Sequence, residues 1–411
     1  MPSPVEACGY GLCTRSFDRL RMTARLITRN DKTFLIMMKH AFKYILLITL
    51  LSGNLIANAQ TYAPCDNQAT KETRWLFSSM QRLIGAGVMF GHHDDSAYGV
   101  GWKFDANRSD VKSVTGAYPS VYGWDLAKLE HDSTNDINGI PFKLQKKLVE
   151  QVYARGGINT YCWHMDNPAN GKSAWDTTQQ TVKELIPGGA YHKTYIEYLD
   201  KAAKYLANLK GSDGEAIPIL FRPFHELTGN WFWWCKNTSS PEDFKTLWRF
   251  TIDYMRNTKK LHNLLIVFSV ADFDSEADFM ERYPGDKYVD FIGFDNYCTQ
   301  GIPKFVTNLD KRLALLDVIA AKHHKVSCLA ETGFEGIPSN DWWTKVLLPV
   351  LSKYKTSYVL MWRNANTHHF YAPYPGQQSE ADFKQFFNSN QTLFQNRLTP
   401  LSVYGKYMNG N

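Results

Sequence analysis

Two glutamates stand out by residue type and setting. Glu226 lies in the run Phe221-Arg-Pro-Phe-His-Glu-Leu-Thr-Gly-Asn-Trp-Phe-Trp-Trp234, where rings surround the carboxyl and an arginine and a histidine can hold it. Apolar contacts disfavour the charged form while polar neighbours fix its direction, which suits a proton donor. Glu331 follows Val-Ser-Cys-Leu-Ala and should project from a buried strand. Either glutamate alone could be a rim ion pair. Two carboxyls at one mouth are what glycoside hydrolysis needs, one to protonate the leaving oxygen and the other to attack the anomeric carbon or activate water. The residues themselves do not choose between retention and inversion. His92-His93-Asp94 invites a metal reading, but adjacent strand residues point to opposite faces, and no H-x-H or HExxH spacing supports it. No metal and no cofactor are expected.

These groups need a scaffold that brings distant residues to one rim. Eight short apolar or β-branched runs bounded by turn residues recur at 87–93, 118–125, 157–164, 217–226, 263–270, 289–297, 326–333 and 357–364. Amphipathic stretches long enough for helices separate them, among them 143–155, 195–209, 241–258 and 311–323. Alternating β and α units point to a (β/α)8 TIM barrel, whose active site lies at the C-terminal ends of the strands. Most of the runs end in polar or aromatic residues, including Trp163-His164, His225-Glu226, Asp295-Asn296-Tyr297, Glu331 and Trp362-Arg363. A doubly wound open sheet is the rival, but no GxGxxG loop follows the first run. No linker or composition shift breaks 60–411, so a single catalytic domain is expected there.

The chain has 411 residues, 44% of them hydrophobic and 21% charged, the balance of a folded globular protein. Aromatics reach 14%, as in chains that present flat rings to ligands such as sugars. The net charge of +6 is concentrated at one end, since residues 1–59 hold eight Lys or Arg against three acids. A near-neutral remainder without a basic stripe argues against nucleic acid as a partner. Residues 37–59 combine a basic start, an apolar run at 44–51 and Ala57-Asn58-Ala59, the pattern of a secretory signal cleaved before Gln60. The apolar run is too short for a membrane anchor, which needs ~20 residues. An extracytoplasmic protein, secreted or periplasmic, without membrane insertion after cleavage is expected, and a monomer. Residues 1–36 precede a normal signal start and are set aside as an upstream extension. The segment 60–411 holds five cysteines, Cys65, Cys162, Cys235, Cys298 and Cys328, with no CxxC, and an odd count leaves at least one thiol free.

Arg222-Pro-Phe-His-Glu226 with Gly229 and Trp231-Phe-Trp-Trp234, the strand Phe291-Ile-Gly-Phe-Asp-Asn-Tyr297, and Ala330-Glu-Thr-Gly333 resemble glycoside hydrolase family 26, the β-mannanase family. The likeness runs from about Trp75 to Tyr404. It implies Glu226 as acid/base and Glu331 as nucleophile on the fourth and seventh strands, and a retaining mechanism through a glycosyl-enzyme ester. It also implies endo-hydrolysis of β-1,4-mannosidic bonds in mannan, glucomannan or galactomannan without a cofactor. An exo-acting, mannobiose-releasing enzyme and family members acting on β-1,3-xylan or mixed-linkage β-glucan are the alternatives. By the same resemblance His225 orients the catalytic groups, Tyr297 contacts the nucleophile, and Trp231 floors the +1 subsite. Asp290 and Arg363 resemble a pair that binds the −2 sugar in some members, with His164 beside them; a purely structural ion pair is the other reading. Trp362 and Trp163 are expected to floor or wall the cleft. Trp175, on the 167–187 stretch after the third strand, is a weaker aromatic candidate, as are Trp102 and Trp124, whereas Trp233 and Trp234 are as easily packing residues.

Overall fold

Strands buried on both faces must be apolar throughout, and that is the composition of the eight runs. The computed structural model describes residues 62–405 and turns the runs into eight parallel strands. They are β1 (Val88–His93), β2 (Val121–Asp125), β3 (Ile158–Cys162), β4 (Ile219–Arg222), β5 (Leu264–Val270), β6 (Phe291–Tyr297), β7 (Val326–Gly333) and β8 (Tyr358–Met361). Each pairs with the next, and β8 returns to β1 in the register Met89↔Tyr358 and Phe90↔Val359, so the sheet closes. The expected (β/α)8 barrel and single catalytic domain are therefore present. Helices follow the strands, including Phe142–Ala154, His192–Ala207, Pro241–Asp253 and Ile302–His323. The helix Pro241–Asp253 begins at the start of the amphipathic stretch 241–258. Ser240 caps the Asp243 N–H with its hydroxyl, and Pro241 occupies the first helical turn.

Two small elements carry no period in the sequence. An antiparallel hairpin, Tyr98–Gly99 with Trp102–Lys103, follows β1, and Thr392–Leu393 adds a short parallel strand beside the start of β1. The expected signal at 37–59 and the upstream stretch 1–36 lie outside the described residues. No described helix is long and apolar enough to cross a membrane. All five cysteines of the described chain are free thiols.

One irregularity matters for the site. Phe294 pairs with Leu329, but the next residue, Asp295, pairs with Glu331, so Ala330 is an extra residue in β7. The neighbouring β7–β8 pairing shifts between the same levels. Such a bulge re-aims the side chains after it, here Glu331.

Candidate active site

Glu331 leaves the bulge of β7 beside the end of β6. Tyr297, on β6, donates its hydroxyl to Glu331 Oε2 at 2.7 Å. Burial and the adjacent carboxylate keep that phenol protonated, so it remains a donor. Arg222, the last residue of β4, donates from Nη2 to Glu331 Oε1 and from Nη1 to Asp295 Oδ2 at 2.9 Å. Arg222 is fully buried, and its guanidinium is fixed between two carboxylates. Glu331 thus has both oxygens held by donors, which set its angle. Removing the phenol donor with Tyr297→Phe should lower kcat about tenfold to a hundredfold while leaving the melting temperature nearly unchanged, as steady-state kinetics and a thermal scan would show.

Glu226 lies past the end of β4, not on it. The strand stops at Arg222, and Phe224 and Glu226 adopt left-handed φ values of 51° and 55°. Non-glycine residues occupy that region at a cost, so the surroundings must hold it. The Glu226 N–H donates to the Ser269 carbonyl of β5 at 3.0 Å, tying the turn to the barrel. Its Oε2 accepts from the Trp231 indole N–H at 2.7 Å. One carboxylate oxygen from each of Glu226, Asp295 and Glu331 lies within 4.8 Å of the others. With one guanidinium among three carboxyls, not all can ionise. Burial first, and the charge of Glu331 second, push Glu226 up to about 7, and burial also pushes Asp295 well above the usual carboxylate range despite Arg222. These three carboxyls could hold a cation, as could Asp125, Cys162 and His164 nearby, but Arg222 already supplies positive charge to two of the three carboxyls.

A line of buried groups runs beside the pair. Asp125, ending β2, accepts from His164 Nδ1 at 2.6 Å, and His164 Nε2 stands 3.2 Å from His225 Nε2. Two ring nitrogens facing each other need one proton between them. Burial lowers His225 well below its ordinary range. Burial also opposes charge on His164, but Asp125 outweighs it and raises that group. Asp125 thus holds the Nδ1 proton of His164, and it is the charged His164 that donates from Nε2 to His225. The Trp175 ring stacks over His164 with centroids 5.1 Å apart, and Trp362 stacks on His93 at 4.2 Å. His92 turns instead to Asp95 at 2.8 Å, so the adjacent histidines go to different neighbours.

Two glutamates at the ends of the fourth and seventh strand units, within a closed parallel barrel, frame the comparison with known proteins. The family described as Glycosyl hydrolase family 26 matches residues 65–361. The chain belongs to that family. It is therefore a glycoside hydrolase. Among solved structures, a GH26 beta-mannanase from Bacteroides ovatus superposes with a TM-score of 0.78 at 44% identity, over 80% of this chain and 96% of that one. An endo-beta-1,4-mannanase from Cellulomonas fimi gives a TM-score of 0.76 at 33% identity, over 82% and 78%. A mannan endo-1,4-beta-mannosidase of Bifidobacterium adolescentis is 32% identical over 83% of this chain, which spans only 36% of that longer protein. A mannan endo-1,4-beta-mannosidase of Bacillus subtilis is 28% identical over 77% of this chain and 87% of its own length.

The hydrolase brings Glu226, Glu331, His225, Tyr297, Trp231, His164, Trp175 and Trp362 to one mouth. Trp231 is 37% exposed and Trp175 51%, so both offer ring faces. Arg363 is half-buried beside Tyr98, to whose hydroxyl Nη1 donates at 3.3 Å, and it lines a cavity of about 630 Å³ with Asn138 and Asn366. Asp290 is not its partner. Asp290 precedes β6, at the opposite end of the barrel, where its carboxylate accepts from the N–H groups of Cys65 and Ile266, each at 2.7 Å, and faces Arg256 at 3.5 Å. The expectation of an Asp290–Arg363 sugar clamp is corrected accordingly: a residue at the start of a strand cannot reach groups at its end. Asp290→Ala should leave KM and kcat unchanged at temperatures where the protein is folded, while costing about 3 kcal/mol in denaturant unfolding by orphaning two amides and removing the carboxylate that faces the buried Arg256 guanidinium. Trp163 is a second correction. It is 1% exposed with its indole N–H on Glu130 at 3.1 Å, so it braces the loop after β3 and offers no face to the cleft. Trp102, Trp124, Trp233 and Trp234 are buried. Sequence reasoning placed Asp295 and Asp125 among the polar strand ends without giving either a role, and gave Arg222 to the wrong glutamate. Their position at strand ends was the available signal.

Proposed function

We propose that this hydrolase is a mannan endo-1,4-β-mannosidase that cleaves internal bonds of mannan, glucomannan or galactomannan with retention. The observation that carries the reading is the close carboxyl pair, one member raised toward neutrality and the other held by Tyr297 and Arg222. Retaining glycosidases place their carboxyls about 5–5.5 Å apart, whereas inverting ones leave about 6.5–9.5 Å for a water. The contact of Glu226, Asp295 and Glu331 oxygens within 4.8 Å supports the first arrangement. Protonated Glu226 gives its proton to the glycosidic oxygen as Glu331 attacks the anomeric carbon, forming an ester and releasing the leaving sugar. Glu226, now ionised, takes a proton from water, which opens the ester and restores both groups. Mannan as the polymer is supported by the names of the relatives.

The same reading places the mature chain at 60–411, outside the cytoplasm and monomeric, on the strength of the signal pattern at 37–59 and of a polymeric substrate. Incubating protein from Gln60 onward with linear mannan and galactomannan tests the function. A mixed ladder of early products is expected. Mannobiose alone from the first minutes would replace the endo reading with an exo one, and inertness toward both polymers would sink the mannanase assignment.

A further inference from the structure

Beside the catalytic pair, a cavity of about 240 Å³ opens between Glu226 and Trp231 on one side and the ends of β6 and the helix Ile302–His323 on the other. Because Glu226 and Trp231 border it, this is the side on which the proton donor meets the leaving oxygen. Its far wall is polar: Asn296, Gln300, Lys304 and Asn308 line it. Arg312 makes that wall rigid. Its guanidinium pairs with Asp272 of the loop after β5 at 2.6 Å and donates to Asn296 Oδ1 at 2.7 Å, joining two strand ends to the helix.

The Asn296 contact fixes more than position. A guanidinium only donates, so the atom facing it must be the amide oxygen, which leaves Nδ2 as the remaining donor. Asn296 is 5% exposed, yet Nδ2 has no partner among the described residues, and neither has Asp295 Oδ1. Asp295 and Asn296 are neighbours on β6 and face opposite ways, so the unpaired Nδ2 stands on the helix side of the cavity and the unpaired Oδ1 on the catalytic side, and a group that gives and takes hydrogen bonds at once suits the space they border. Sugar hydroxyls do this, and the volume suits one ring and not a chain.

We propose that Asn296, Gln300, Lys304 and Asn308 form a hydroxyl-reading wall that binds leaving-group hexoses opposite the Trp231 indole. This rests on the mannanase reading and adds specificity residues on the leaving-group side. The wall grips sugars that depart, so its contribution depends on whether the substrate has them. The test compares mannopentaose with an aryl β-mannobioside, whose leaving group is a phenol. Lys304→Ala and Asn308→Ala change exposed or half-buried helix positions and should fold; Asn296→Ala is the buried third variant. The expected result is a fall in kcat/KM of tenfold or more on mannopentaose, carried mainly by KM, and a ratio of the two substrates' kcat/KM shifted by a similar factor toward the aryl glycoside. An unchanged ratio in both Lys304→Ala and Asn308→Ala, whether through no loss or through equal loss on both substrates, would overturn the wall. A wild-type enzyme that cuts neither substrate would instead overturn the mannanase reading, and this proposal with it.

Discussion

Glu331→Ala should lose about five orders of magnitude in kcat on mannan, the scale on which covalent catalysis disappears when its nucleophile is removed. The size follows from how completely the site is arranged around one carboxylate. Arg222 and Tyr297 each donate to one Glu331 oxygen, and the β7 bulge at Ala330 brings Glu331 level with Asp295. None of these supports can attack an anomeric carbon. The alanine variant also leaves Arg222 with one carboxylate fewer in a buried setting, so a stability loss accompanies the loss of activity. Glu331→Gln separates the two, because the amide oxygen still accepts from Arg222 while the nucleophile is gone. A Gln variant that melts near the wild type and remains inactive is the expected outcome. Activity within a hundredfold of wild type in either variant would show that another group forms the bond to carbon.

The barrel was legible because its evidence is periodic. Eight apolar runs separated by amphipathic stretches leave few alternatives once both faces of a strand must be buried, and each of the eight runs contains a barrel strand. Glu226 and Glu331 were legible by context, rings and an arginine around one, an apolar strand before the other. Reading failed where geometry departs from the period. The left-handed turn at Phe224 and Glu226 ends β4 four residues early, and the extra residue at Ala330 changes which side chains share a level. Neither has a sequence signature. Arg222 adjoins Glu226 in sequence but serves Glu331, because the turn separates the neighbours and the bulge brings the distant residue in. Asp290 failed for a plainer reason: acidic residues occur at both ends of β6, Asp290 and Asp295, and only the later one faces the cleft. The carboxylate that belongs with the catalytic pair was five residues along the same strand.

Glu226→Ala should cost about a thousandfold in kcat on mannan, the upper part of the range for general acid–base catalysis, and the loss should depend on the leaving group. A sugar alkoxide leaves poorly without a proton, whereas a dinitrophenolate does not need one. The first step on dinitrophenyl β-mannobioside should thus survive, the glycosyl-enzyme should accumulate, and added azide should release it as the β-glycosyl azide. Product of inverted configuration would contradict retention. The pH dependence follows from the same residue. Glu226 is active protonated, and burial with Glu331 nearby raises it from 4.5 to about 7, so kcat/KM on mannan should fall as pH rises through about 7. Stability has the same sign. The native state keeps a proton that the unfolded chain releases above 4.5, so unfolding free energy should decrease between about 4.5 and 7 and then level off. Glu226→Gln cannot ionise, so it should gain stability relative to wild type as pH rises across that window, measured by urea melts at pH 4 and pH 8. An equal difference at both values would mean that Glu226 carries no buried proton, and the acid would have to be sought elsewhere in the cleft.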